Sequence, residues 1–337
     1  MNRFDYVRAG TVAEAIHAIA GDSNARFIAG GTNLVDLMKY NVERPGRIVD
    51  ITRLPLDAIE DHDGGLRLGA LATNTATAYD ARVQCRYPLL SSAILAGATG
   101  QLRNAATNGG NLNQRTRCYY FYDEGTPCNK RLPGSGCPAI DGVNRIHAIL
   151  GASEHCIATH PSDMAVALAA LDATIRVAGP EGERTIPIAE YHRLPGDTPE
   201  IDTNLKPGEI VLSIDLPAED FSRHYTYLKL RDRLSYAFAL VSVAAVMEVD
   251  GDTIRTARFA LGGVAHKPWR DAEAEALLQG KPATRESFQA AADHVLRQAK
   301  PQSQNAFKIE LARRAIVRGL SQAAAGTPQS QSDKRIA

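Results

Sequence analysis

Apolar residues recur at helical spacing early in the chain, at Val12, Ile16 and Ile19, just after Thr11-Val12-Ala13-Glu14, which has the form of a capping box. That pattern predicts an early helix. The stretch "ARFIAGGTNLVDLMKY" then reads as a short buried strand, a Gly-Gly turn, and a helical or irregular segment bearing Leu34, Leu37 and Met38. "RIVDI" and "GLRLGALAT" read as further strands, and "YPLLSSAILAGATGQLRNAATNGGNL" as a helix ending in a second glycine-rich loop. Ser162-Asp163 is placed to cap the helix "MAVALAALDA", and "ATIRVAGPEGERTIPI" reads as a hairpin around Pro180-Glu181-Gly182.

After "GEIVLSIDLP" the texture changes. "HYTYLKLRDRLSYAFALVSVAAVMEVDGDTIRTARFALGGV" is strand-rich, with a turn at Asp250-Gly251-Asp252, and helical patterns follow at about Glu286–Gln298 and Asn305–Ser321. Strands followed by helices predict a separate α+β domain beginning near residue 220.

With 337 residues, 44% hydrophobic and 23% charged, the chain is expected to be globular, with two or three domains. Its 38 basic and 38 acidic residues cancel, which argues against a nucleic-acid footprint or a polybasic membrane anchor. No apolar run approaches the roughly 20 residues of a membrane span. The first residues lack the positive-then-apolar order of a signal peptide. Cytoplasm is therefore the expected compartment, with periplasmic export as a folded complex, through a partner's signal, as the alternative. Residues 326–337, "GTPQSQSDKRIA", are expected to form a frayed tail.

Two glycine motifs bear on chemistry, Gly30-Gly31-Thr32-Asn33 after a strand and Gly109-Gly110-Asn111 after "LRNAATN". Successive backbone N–H groups at such turns form anion-binding nests, and two of them suit an extended diphosphate ligand. Two ordinary tight turns remain the alternative. Neither motif is GxGxxG, and no P-loop is present.

Four cysteines fall between Cys118 and Cys156, separated by nine, eight and eighteen residues: Cys118, Cys128, Cys137 and Cys156. No pair has C-x-x-C form, so neither zinc-ribbon nor ferredoxin spacing applies. The fifth, Cys85, is expected to be a buried small hydrophobe. Disulfides need an oxidising compartment, and zinc would use the same thiolates or His147, His155 or His160. Two features favour a metal centre. So long a stretch without periodicity needs something to tie it down. Arg115, Arg117, Lys130 and Arg131 would offset the charge of a thiolate-bound iron–sulfur anion, with N–H groups from Gly134-Ser135-Gly136. The aromatic run Tyr119-Tyr120-Phe121-Tyr122 either shields such a centre or simply packs the segment.

Taken together, "FIAGGTNLVDLMK" and "GQLRNAATNGGNL" resemble the two flavin-binding signatures of the FAD subunits of the xanthine dehydrogenase and molybdenum hydroxylase family. "YLKLRDRLSYAFALVSVAA" and "ARFALGGVAHKPWR" resemble that family's C-terminal domain. The resemblance implies an α+β, two-lobed FAD-binding fold of the vanillyl-alcohol-oxidase (PCMH) type, followed by a smaller α+β C-terminal domain. On that basis residues 1–218 form the FAD domain, with lobes at about 1–56 and 57–218 and an iron–sulfur insert at 115–157. Residues 219–325 form a CO-dehydrogenase-flavoprotein-like domain.

The resemblance also assigns roles. Arg26, Phe27, Ile28, Ala29, Gly30, Gly31, Thr32, Asn33 and Leu34 would wrap the diphosphate, and Thr107, Gly110 and Asn111 would line the second loop. Asp163 would contact the adenosine half, and Lys229 would lie near the flavin ring. The cysteine segment is similar to that of the aldehyde-oxidising members, which implies a [4Fe–4S] cluster on Cys118, Cys128, Cys137 and Cys156. No catalytic acid–base group is expected here, since the flavin carries the redox chemistry. Implied partners are a molybdenum-cofactor large subunit, a [2Fe–2S] small subunit and an external electron acceptor, in a heterotrimer that oxidises aldehydes. The alternatives are a 4-hydroxybenzoyl-CoA-reductase-like or xanthine-dehydrogenase-like FAD subunit and, from a different class, a non-redox FAD- or zinc-stabilised scaffold.

Overall fold

The computed structural model describes residues 1–331. Its first sheet is parallel, in the order β1-β3-β2, from β1 (Asp5–Arg8), β2 (Ala25–Ile28) and β3 (Arg47–Asp50). The central strand is the apolar one: Ile48 and Val49 are buried. The helix Val12–Ile19 starts as its sequence predicts, with the Thr11 hydroxyl accepting from Glu14 N at 3.1 Å.

The second sheet is antiparallel, in the order β4-β5-β8-β6-β7. It is built from β4 (Ile59–His62), β5 (Gly65–Gly69), β6 (Thr174–Gly179), β7 (Gly182–Pro187) and β8 (Ile210–Leu216). Its inner face packs on two helices, Pro88–Ala96 and Asp163–Ala170, whose residues are largely buried. Ser162 caps the second of these, accepting from Ala165 N at 2.9 Å. The β6–β7 hairpin turns at the expected Pro180-Glu181.

The third sheet, β12-β11-β10-β9, is also antiparallel and comprises β9 (Tyr225–Leu230), β10 (Val241–Asp250), β11 (Thr253–Gly262) and β12 (Trp269–Arg270). The helices Arg285–Val295 and Phe307–Ala324 contribute to the core on one face. Tyr227, Ala244, Val246 and Ala260 face the other way and join the core of the second sheet. One apolar core thus runs from the second sheet into the third. No helix among the described residues is long and apolar enough to cross a membrane.

Three expectations are corrected. Gly109-Gly110-Asn111 is not a loop but part of a helical turn, Asn108–Leu112, capped by Thr107. Cys85 is exposed, because its helix, Ala81–Arg86, buries only Val83. The tail is tied down as far as it is described: Gln329 N donates to Thr226 Oγ1 at 3.0 Å, and Gln331 Nε2 to Tyr227 O at 3.1 Å. Residues 332–337 lie outside the described ones. The cysteine stretch is irregular as expected, with neither helix nor strand between Tyr122 and Asp163.

Candidate functional site

A cavity of about 720 Å³ opens where the two lobes meet the C-terminal domain. The first glycine motif forms one wall through Gly31, Thr32 and Asn33, and the second contributes Gly110 and Asn111. The two motifs are in contact. A Cβ on Gly30 would lie 1.8 Å from the carbonyl oxygen of Ala105, so only glycine permits the approach. Gly31 then turns the chain with φ +70°, the left-handed region. Asn33 accepts from Arg115 N at 3.0 Å, which leaves its buried Nδ2 without a partner. An unpaired buried donor beside a large cavity is what an anionic ligand would satisfy.

Other residues expected to surround a ligand do not line this cavity. Arg26, Phe27 and Ile28 form β2, where Phe27 packs into the core below the first sheet and the Arg26 guanidinium pairs with Glu43 at 3.3 Å. Ala29, Gly30 and Leu34 are not among the lining residues, and Thr107 spends its hydroxyl on Gly110 N at 3.2 Å. Asn111 lines the cavity, but its amide is engaged with Asn74 at 2.7 Å, Ser162 at 2.6 Å and Gln114 at 2.7 Å. It braces the wall.

Asp163 and Lys229 both line the cavity and form an ion pair at 2.7 Å. The two positions expected at the adenosine half and near the flavin ring thus meet on one wall of the cavity. Tyr227 donates to the same carboxylate at 2.6 Å. Burial, reinforced by the Asp163 charge, raises the Tyr227 pKa well above its ordinary value.

Arg103 escaped sequence reasoning, and Arg117 and His160, expected at the cysteine segment, also line this cavity. The Arg103 guanidinium donates to Gly97 O at 2.6 Å, and its buried Nε has no partner. Arg117 bridges Asp36 at 2.8 Å and Tyr122 at 2.5 Å and lies over the Phe238 ring. His160 packs against His192 with the rings tilted by 49°, and burial holds its pKa well below the usual histidine range. The signal for Arg103 was present in the sequence, as the lone basic residue inside the second motif.

The four cysteines Cys118, Cys128, Cys137 and Cys156 converge on a second, smaller pocket. None is disulfide-bonded. The neighbouring Cys156 thiol and nearby backbone N–H groups lower the Cys137 pKa to about 6 against the effect of burial. Burial pushes Cys118 up to about 12. Among the described residues the only trio of His, Cys, Asp or Glu ligand atoms within 4.8 Å of one another is Asp271, Glu273 and His294. No three of the sulfurs therefore come that close. Four thiolates on one zinc ion would sit only about 3.8 Å apart, given Zn–S bonds near 2.3 Å.

Charge around this pocket is organised by Asp202. Its carboxylate pairs with the Arg115 Nε at 2.8 Å and with Lys130, and Arg115 also pairs with Glu43 at 2.7 Å. Arg115 and Lys130 are thus partnered within the protein. Arg117 is bound to Asp36, and Arg131 donates to the carbonyls of Tyr120 and Phe121 at 2.9 and 2.8 Å. Cys118 and Thr116 line both this pocket and the larger cavity, so the two sites share a wall.

A family model described as the FAD binding domain in molybdopterin dehydrogenase matches residues 2–219, and the CO dehydrogenase flavoprotein C-terminal domain matches residues 224–323. The chain belongs to the FAD-binding subunits of the molybdenum hydroxylase family. The FAD-binding subunit PaoB of the Escherichia coli K12 aldehyde oxidoreductase is 52% identical over 327 residues, covering 96% of this chain and 99% of that one. The medium chain of a Sulfolobus acidocaldarius glyceraldehyde dehydrogenase is 29% identical, covering 89% of each. Among solved structures, the carbon monoxide dehydrogenase of Hydrogenophaga pseudoflava superposes with a TM-score of 0.76 at 27% identity, covering 96% of this chain and 98% of that one. The family's FAD fits what the residues offer: a cavity of suitable size, the glycine contact and the unpaired Asn33 amide.

Proposed function

We propose that this chain is the FAD- and [4Fe–4S]-carrying electron-transfer subunit of a molybdenum-dependent aldehyde oxidoreductase. A large molybdenum-cofactor subunit would oxidise the aldehyde, a [2Fe–2S] subunit would deliver the electrons, and an external acceptor would remove them. The observation carrying the reading is the convergence of Cys118, Cys128, Cys137 and Cys156 on a pocket that shares Cys118 with the larger cavity. The identity to the aldehyde oxidoreductase subunit supports the choice of substrate class. The spread of the sulfurs favours a polynuclear iron–sulfur core over one zinc ion.

Bound FAD would supply two-electron and one-electron redox chemistry. The protein's part is to hold it. Gly31 and Thr32 would offer backbone N–H groups to the diphosphate and Asn33 its free amide, while the Asp163–Lys229 pair fixes the opposite wall. Phe238 and Tyr236, both about half exposed, would keep water from the open side. No proton-transfer pair is required in this chain, because the substrate reacts on a partner.

The test is compositional. The chain purified alone should contain FAD together with about four irons and four sulfides. It should not oxidise aldehydes until the two partner subunits are added. Zinc in place of iron would identify the scaffold reading, and aldehyde oxidation by the chain alone would overturn the electron-transfer assignment.

A further inference from the structure

We infer that His147 is a positioning residue for the iron–sulfur centre, its Nε2–H donating to the Cys118 sulfur and stabilising the reduced state. This rests on the [4Fe–4S] reading above. His147 Nε2 lies 3.1 Å from Cys118 Sγ, and the residue is 1% exposed. A hydrogen bond to a ligating thiolate offsets negative charge, so it favours the centre that has gained an electron.

Which nitrogen carries the proton follows from the surroundings. Nδ1 of His147 is buried and makes no hydrogen bond of good geometry, although the Asn144 carbonyl is near enough to favour a protonated ring. A proton there would be a poorly satisfied buried donor, whereas at Nε2 it meets the sulfur. A second imidazole near the thiols makes the contrast. His266 Nε2 lies 3.8 Å from Cys156 Sγ, but its Nδ1 is 3.3 Å from the carbonyl of Arg193. That carbonyl can only accept, so the His266 proton sits on Nδ1 and its Nε2 has none to give. Of the two histidines with a ring nitrogen within 3.8 Å of a cysteine sulfur, only His147 donates.

The ring is held from the C-terminal domain. The His147 carbonyl accepts from Lys308 Nζ at 2.8 Å and from Asn305 Nδ2 at 3.2 Å, and both donors are buried. Tyr119 and Tyr120 flank the imidazole, each with its ring centre 6.5 Å away. Cys118 is also the only one of the four cysteines that lines the larger cavity, and His147 lines it too. The donor therefore acts on the one cluster thiol that borders the cavity proposed for the flavin, where it would bias the sharing of electrons between the two groups.

The test is a redox titration of the flavin- and cluster-loaded protein, followed by electron paramagnetic resonance. His147→Leu should lower the one-electron reduction equilibrium of the cluster about tenfold, or 59 mV, with iron content unchanged. His147→Gln, which keeps a donor, should recover part of that shift. Unchanged potentials in a fully loaded His147→Leu protein would overturn the inference while leaving the cluster assignment intact. If His147→Leu loses iron, the unsubstituted protein labelled with ¹⁵N-histidine decides. Hyperfine coupling of the reduced cluster to an imidazole nitrogen and one exchangeable proton supports the role, and its absence overturns it. No iron in the unsubstituted protein would remove the underlying reading, and elemental analysis reports that separately.

Discussion

Lys229 on β9 and Asp163 at the start of the helix Asp163–Ala170 form an ion pair 2.7 Å long, and their side chains are 3% and 10% exposed. The pair couples the C-terminal domain to the FAD-binding domain at the cavity wall. Removing one partner strands the other charge without solvent. Asp163→Ala is therefore expected to destabilise the cofactor-free protein by about 3–5 kcal/mol in urea unfolding. Adding Lys229→Met should recover at least half of that loss, and a double variant no better than the single would show that the pair is not the cause.

Gly30 marks the crossing of the two glycine motifs, with 1.8 Å between its ideal Cβ and the Ala105 oxygen. Alanine there must push the strands of chain apart. Gly30→Ala should weaken FAD binding at least tenfold by flavin-fluorescence titration, about 1.4 kcal/mol or more. Binding as tight as that of the unsubstituted protein would show that this contact does not shape the site.

The cysteines separate into two classes by position. Serine at Cys118, Cys128, Cys137 or Cys156 should each lower iron content and the associated visible absorbance. Serine at Cys85, exposed and outside the pocket, should leave both unchanged. Full iron loading in all four pocket variants would argue against shared ligation.

Acid should act through Asp202. Burial opposes its ionisation, but the Lys130 and Arg115 charges outweigh that and hold its pKa well below the usual carboxylate range. A depressed folded-state pKa contributes stability above the unfolded value near 3.9, and this is lost as pH falls below it. Chemical unfolding at stepped pH below about 4 should show a falling stability that Asp202→Asn flattens. Parallel curves for the two proteins would rule this source out.

Much of the local structure was legible because it is set by near neighbours. Thr11 and Ser162 cap the helices their sequences announce, and the Pro180-Glu181 and Gly251 turns close the expected hairpins. The second glycine motif was misread for a local reason. Paired glycines suggested a loop, yet Thr107 can cap a short helical turn and Gly109 packs closely on Ala70. Cys85 was misassigned because its helix buries one residue, which short-range periodicity does not reveal.

The residue types at the site, two glycine motifs and four clustered cysteines, belong to the sequence alone, as does the family likeness they carry. What each residue faces does not. Asp163 and Lys229 are 66 residues apart and meet only because the third sheet packs against the helix that Ser162 caps. His147 reaches Cys118 because Lys308 and Asn305, more than 150 residues further along, hold its carbonyl. Spacing along a chain governs hydrogen bonds a few residues long. Which distant side chains share a buried, poorly solvated place is decided by how the sheets and helices pack, and it is there that charge, thiol and imidazole acquire their chemistry.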